Sequence, residues 1–274
     1  MSKLLNVSSS PHVRCGVSTK NLMYDVAIAM LPATIWGVMQ FGIYSLIVVV
    51  ATVLSCVLSE YLFETLMHKP VTISDGSALV TGMILGLNMP PAIPLWMPIL
   101  GGVFAIIVVK QLYGGLGQNW MNPALAARCF MLISFAQAMT KFTDPVTDAV
   151  ASATPLAAIK AGDTYDVAAM FIGKIPGTIG EVSVIALLIG AAYLLVKKVI
   201  TIRIPAAYIL SFAVFAFIFG QHNINYVLAE VCGGGLIFGA FFMATDYVTS
   251  PITAKGQIVF GICLGILTGL FRIF

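Results

Sequence analysis

The strongest constraint on this chain is a succession of nine apolar windows, separated by loops too short to fold by themselves. They cover residues 24–40, 43–67, 75–89, 95–113, 124–139, 178–196, 204–219, 227–244 and 257–271. Hydrocarbon offers backbone amides and carbonyls no partner, so runs of about 20 apolar residues must satisfy their own polar groups as helices. Of the 274 residues, 59% are hydrophobic and 9% charged, whereas a soluble domain carries roughly a quarter charged residues. The expected class is an all-α polytopic membrane protein with nine to ten transmembrane helices. It forms a single integral membrane domain over residues 1–274, with no room for a separate soluble domain.

Charge sets the expected orientation. Residues 1–20 are polar, carry Lys3, Arg14 and Lys20, and lack the apolar centre and small-residue cleavage site of a signal peptide, so they read as a cytoplasmic tail. Lys197, Lys198 and Arg203 put three positive charges into seven residues and mark a cytoplasmic loop. Counting from an inside N-terminus puts five crossings before residues 140–176 and six before the basic loop. The first segment is then extracytoplasmic and the second inside. Nine crossings leave Phe274 outside, within an apolar run, which suggests a tenth helix beyond it.

The net charge of +3 is spread over the loops, with no basic cluster among aromatics, and this excludes nucleic acid as a partner. Cys15, Cys56, Cys129, Cys232 and Cys263 stand far apart with no C-x-x-C spacing, so they read as small apolar residues. The alternative is a cluster shared with a neighbouring subunit through Cys56, Cys129 or Cys232.

The third and eighth windows share a pattern. Gly82 and Gly239 each open an apolar segment that a proline, Pro94 or Pro251, closes twelve positions later. By the crossing count the two run in opposite directions. Inverted repeats with broken helices characterise transporter-like folds whose sites lie where the halves meet; chance recurrence of Gly and Pro is the alternative. Asp246, beside Thr245, Thr249 and Ser250, is a candidate for an ion pathway or a helix cap, and Asp25 and Asp75 have the same standing. Glu60, Glu64 and His68 share one helical stripe, read as an interface or headgroup-level face rather than a cation site. Lys110 and Arg128 lie near window ends, where long basic side chains snorkel. Asn122-Pro123 reads as an N-cap followed by the first helical residue.

The long polar interval contains Asp148-Ala149-Val150-Ala151-Ser152-Ala153-Thr154-Pro155-Leu156. A lone Thr is a poor nucleophile, so a covalent role for Thr154 needs an outside enzyme. This stretch resembles the flavin-attachment site of the family comprising the D subunit of the Rnf ion-translocating ferredoxin:NAD oxidoreductase and the B subunit of sodium-pumping NADH:quinone oxidoreductase. In that family an Asp is followed by Ser-Gly-Ala-Thr-Pro-Leu. The chain matches at Asp148, Ala153, Thr154, Pro155 and Leu156 and departs at Ala151-Ser152, leaving Ser152 as a neighbouring hydroxyl. The Gly114 to Ala124 turn, the Phe238 to Pro251 segment with its Met-Ala-Thr-Asp, and Ser9-Ser10-Pro11-His12 are also similar to the family, over nearly the whole chain.

The resemblance implies a membrane flavoprotein that passes electrons while Na⁺ or H⁺ moves across the membrane. It implies FMN joined to Thr154 by a phosphoester, placed there by a flavinyltransferase that works outside the cytoplasmic membrane. Asp148 would then help that enzyme recognise the site, and Pro155 would hold Thr154 extended. A second, non-covalent flavin such as riboflavin is implied by the relatives, with Asn119 and Asn122 as candidate contacts. The implied partners are the A-, B-, C-, E- and G-type subunits, above all the FMN-bearing G subunit. No Gly-rich dinucleotide fingerprint follows a strand, so NAD binding is not expected here. The competing readings are a channel or secondary transporter without redox chemistry, and a structural membrane anchor.

Overall fold

The structure, a computed structural model, describes residues 18–143, 150–151, 156, 159–160, 166–220 and 222–274. Each of the nine apolar windows holds a helix. The chain begins with α1 (Thr19–Phe41), which Ser18 caps by accepting a hydrogen bond from the Asn21 N–H at 3.3 Å, and Pro32 lies within it. Gly42, at φ 81°, both ends α1 and starts α2 (Ile43–Leu66), so one left-handed residue turns the chain back on itself. Then come α3 (Ser77–Leu87), α4 (Trp96–Val103) and α5 (Pro123–Ser134). Two short helices follow, α6 (Ala136–Met139) and α7 (Val167–Ile172). The second half comprises α8 (Val184–Val196), α9 (Arg203–Phe219), α10 (Ile224–Cys232), α11 (Leu236–Phe238) and α12 (Ala254–Ile273).

Two helices relax into π-helix: α4 continues through Phe104–Gln111 and α11 through Gly239–Met243. One two-residue antiparallel ladder, β1 (Phe142–Thr143) with β2 (Val150–Ala151), lies in the interval before α7. Among the described residues α1, α2 and α12 are each long and apolar enough to cross a membrane alone, and α10 with α11 and its π extension is apolar enough only as a pair, bent by 63° at its break as in a broken span or a re-entrant loop. The remaining apolar helices are shorter. The window at 178–196 becomes helical only from Val184, and the window at 124–139 is interrupted at Phe135, outside helical geometry at φ −133°.

Packing follows the membrane rule that small residues let backbones approach. A Cβ on Gly82 of α3 would come within 2.6 Å of the Val53 Cα on α2, so this contact admits glycine alone. The polarity of α2 is inverted relative to a soluble helix. Leu54, Leu58 and Leu62 are exposed, while Ser45, Thr52, Ser59, Glu60 and Glu64 are buried. Leucines on the outside and hydroxyls and carboxylates within are what a lipid-facing helix requires.

Candidate functional site

A cavity of about 90 Å³ lies where the two halves of the chain meet. Its walls come from the start of α1 (Met23, Val26), the N-terminal half of α3 (Ser77, Thr81), the end of the α4 π stretch (Lys110) and the residues before α5 (Asn119, Asn122). From the second half come Ile200, Phe242 and Asp246. The cavity meets α3 over its first turns and the α11 extension near its end. Its wall also gathers Val199 and Ile200, next to the basic Lys197–Arg203 loop.

Three of the expected site residues therefore share one cavity. The Asn119 side chain, 7% exposed, donates to the Met121 carbonyl at 2.9 Å. Asn122 is the N-cap of α5, its Oδ1 accepting from the N–H groups of Ala124 at 3.0 Å and Leu125 at 3.4 Å, with Pro123 at the first helical position. Asp246 accepts from the Val248 N–H at 3.4 Å and the Thr249 hydroxyl at 3.1 Å, and burial pushes its carboxyl above the usual range. Beside it, Tyr247 donates to the Val199 carbonyl.

Asp75 stands just behind the wall. Its Oδ1 accepts from the Ser77 N–H at 2.8 Å and the Ser77 hydroxyl at 2.6 Å, closing the first turn of α3. Asp25 lies elsewhere, joining α1 to α8 by accepting from the Tyr193 hydroxyl at 2.8 Å, with the Lys197 Nζ at 3.9 Å. Asp148, Ser152, Ala153 and Thr154 lie outside the described residues.

Two expectations are corrected. Lys110 does not snorkel: it is 2% exposed, and its Nζ donates to Glu60 Oε1 and to the Ser77 hydroxyl, each at 2.6 Å. Turning at five residues per hydrogen bond, with Leu112 N–H on the Ile107 carbonyl and Gly115 N–H on that of Lys110, swings this end of the helix inward. Glu60 and Glu64 do not form a headgroup-level face, being 0% and 2% exposed. Gln111 Nε2 bridges them at 2.8 and 3.1 Å, and Glu64 also accepts from the Thr72 N–H and hydroxyl. His68, the third member of the stripe, is exposed.

Arg128, 34% exposed, is held by partners rather than by solvent. Its Nη1 donates to Asn88 Oδ1 at 2.5 Å and Glu181 Oε1 at 2.9 Å. These residues border a second cavity of about 200 Å³, walled by Arg128, Phe142, Leu156, Thr178, Glu181 and Gly234. Of the cysteines considered for a shared cluster, Cys56 is buried, Cys232 half-buried and Cys129 exposed. Among the described residues no group of three or more His, Cys, Asp or Glu could hold a metal ion.

The wall of the first cavity thus gathers Lys110, two carboxamides, a carboxylate and aromatic side chains. Together with the helices around it, this defines a polytopic membrane protein with a polar site at the meeting of two halves. Lineage agrees: the model of the NQR2, RnfD, RnfE family matches residues 6–274, and the chain belongs to that family. It is 47% identical to the D subunit of the Na(+)-translocating ferredoxin:NAD(+) oxidoreductase complex of Acetobacterium woodii, over 98% of this chain and 86% of the relative. It is 40% identical to the proton-translocating counterpart of Clostridium ljungdahlii, over 98% and 87%. The D subunit of an ion-translocating oxidoreductase complex of Methanosarcina acetivorans is 33% identical over 98% and 85%.

Proposed function

We propose that this chain is the flavin-bearing D-type subunit of an ion-translocating ferredoxin:NAD oxidoreductase complex, carrying FMN on Thr154 by a phosphoester and a non-covalent, riboflavin-like flavin in the cavity of Asn119, Asn122 and Asp246. The observation that carries the reading is the convergence of Asn119 and Asn122, from one turn, with Asp246, from the distant second half of the chain, on one cavity. In this reading the cavity faces the cytoplasm and Thr154 faces outward from the inner membrane.

At about 90 Å³ the first cavity is smaller than the roughly 300–1,000 Å³ of a formed ligand site. A three-ring ligand therefore requires the lining residues to move apart. The chain passes single electrons between the FMN-bearing G-type subunit and later carriers, alongside A-, B-, C- and E-type subunits. The coupled ion is Na⁺ or H⁺, since the names of two close relatives divide between them.

The test is mass spectrometry of the Thr154 peptide from complex made together with its flavinyltransferase, with fragmentation that separates Thr154 from Ser152. Thr154→Ala is expected to abolish the flavin fluorescence of the denatured protein and leave membrane insertion intact. Unmodified peptide, with no flavin released by acid, sinks the reading and favours a channel or transporter without redox chemistry.

A further inference from the structure

The helices α9 and α12 lie side by side and run in the same direction. A Cβ on Gly261 would meet Ala207, one on Gly265 would meet Ser211, and one on Gly269 would meet the Phe215 ring, so the contacts climb both helices together. At their shared start the Thr201 hydroxyl donates to Gln257 Oε1 at 3.3 Å. The glycines let the two backbones close up. Outward of this contact, Leu210, Val214 and Ile218 form one exposed ridge and Ile258, Ile262 and Ile266 the other, each at i, i+4, i+8. Between the ridges runs an apolar groove of about 540 Å³, to which Ala207 and Ser211 also contribute.

The groove is about as long as one leaflet is thick. From Ala207 to Phe219 it follows α9 for about 18 Å at roughly 1.5 Å per residue, against about 15 Å for half of the hydrocarbon core. Two cations stand at its head. Arg203 precedes Ala207 by four residues and Lys255 precedes Ile258 by three, so helical spacing puts both on the groove side of their helices. Both are exposed, and among the described residues neither has a hydrogen bond or ion pair from its side chain. No Asp or Glu occurs in residues 182–229 or 247–274, so neither helix carries a carboxylate to neutralise them. The first turn of α9 has no side-chain cap, and the positive end of its dipole adds to the charge.

An apolar groove charged at one end selects its occupant. A helix of another chain packs closely in lipid where small residues face it, but here the ridges are Leu, Val and Ile, and the glycines are used between α9 and α12. An apolar helix also leaves both cations without a partner. We propose that the groove binds an anionic glycerophospholipid, its phosphate held between Arg203 and Lys255 and one acyl chain laid along the groove. The Arg203 guanidinium matches two phosphate oxygens at once, and Lys255 supplies a point charge. Basic sites between transmembrane helices suit such headgroups.

The experiment uses the purified complex in three forms: wild type, the double variant Arg203→Gln with Lys255→Gln, and Ile262→Trp, which keeps both charges and fills the groove. Each is stripped of lipid and returned to phosphatidylcholine nanodiscs containing a little phosphatidylglycerol that bears a photoactivatable group on one acyl chain. Wild type is expected to take label in residues 207–219 and 258–266. The double variant is expected to take about thirtyfold less, at the usual gain per basic residue near anionic lipid, and Ile262→Trp to lose label from the same peptides. Denaturation midpoints equal to wild type show that a lost label is not a lost fold. Unlabelled phosphatidylglycerol is expected to compete, and glycerol phosphate, a head without chains, is not. Equal labelling of wild type and the double variant overturns the proposal, as does label retained in Ile262→Trp or displaced by glycerol phosphate. Wild type without label in the two segments overturns it as well, because another chain then covers the groove.

Discussion

Lys110 Nζ lies 2.6 Å from Glu60 Oε1, fifty residues earlier in the chain, and neither side chain is more than 2% exposed. Removing one member of such a pair strands a buried charge, at a cost of about 3–5 kcal/mol, whereas removing both costs much less. Lys110→Met and Glu60→Gln are each expected to lower the denaturation midpoint of the detergent-solubilised complex strongly, and the double variant to recover most of the loss. The resulting coupling energy is expected at the upper end of the roughly 0.5–3 kcal/mol found for interacting pairs. Additive losses would show that the two charges do not depend on each other.

Arg272 performs a different task at the far end of α12. Its guanidinium donates to the carbonyls of Glu230 at 2.6 Å, Gly233 at 3.2 Å and Gly234 at 2.6 Å, where α10 breaks before α11. The Glu230 carboxylate is 3.7 Å away and the Phe212 ring 5.3 Å. The planar fork meets three carbonyls that helix geometry has released, which an ammonium cannot do. Arg272→Lys is expected to destabilise by about 1–3 kcal/mol, the cost of a buried acceptor left unsatisfied, and Arg272→Met by more. Limited proteolysis between Cys232 and Leu236 checks this, and an unchanged cleavage rate would count against the clamp.

The helices are legible in the sequence because an apolar run in lipid has one way to satisfy its backbone, and Asn122-Pro123 is legible because capping is local chemistry. Lys110 misleads for a physical reason. Distance from a window end says how far a side chain must reach for water, but not which face it occupies, and the π turn rotates that face. The signal lies in α2, where Glu60 and Glu64 share the side of Ser45, Thr52 and Ser59, opposite the exposed Leu54, Leu58 and Leu62. Carboxylates on a buried stripe require a cation from another helix, and Lys110 is available. The convergence of Asn119 and Asn122 with Asp246 is not legible, because it depends on how the two halves dock.

Asn122 has two roles that substitution can separate. As N-cap it satisfies the N–H groups of Ala124 and Leu125, and replacement by Ala typically costs about 1 kcal/mol. Asn122→Ser keeps a capping oxygen but removes the carboxamide from the cavity. Asn122→Ala is expected to lower both stability and flavin content, while Asn122→Ser lowers flavin content several-fold at near-normal stability. Equal flavin content in wild type and Asn122→Ser would confine Asn122 to capping.

Asp246 carries a pH dependence whose sign follows from its surroundings. Burial raises its carboxyl, outweighing the hydrogen bonds from Val248 and Thr249 that favour the charged form. In the unfolded chain an Asp titrates near about 3.9. A group raised in the folded state contributes stability that is complete below the unfolded value and is lost as pH rises through the folded one. Asp246→Asn retains an oxygen for the Val248 N–H and stays neutral throughout. The variant is therefore expected to match wild type near pH 4 and to be the more stable of the two at pH 8. Denaturation midpoints of the two proteins across that range decide the matter: a difference that does not change with pH would mean that the Asp246 charge is compensated by a group other than Val248 and Thr249.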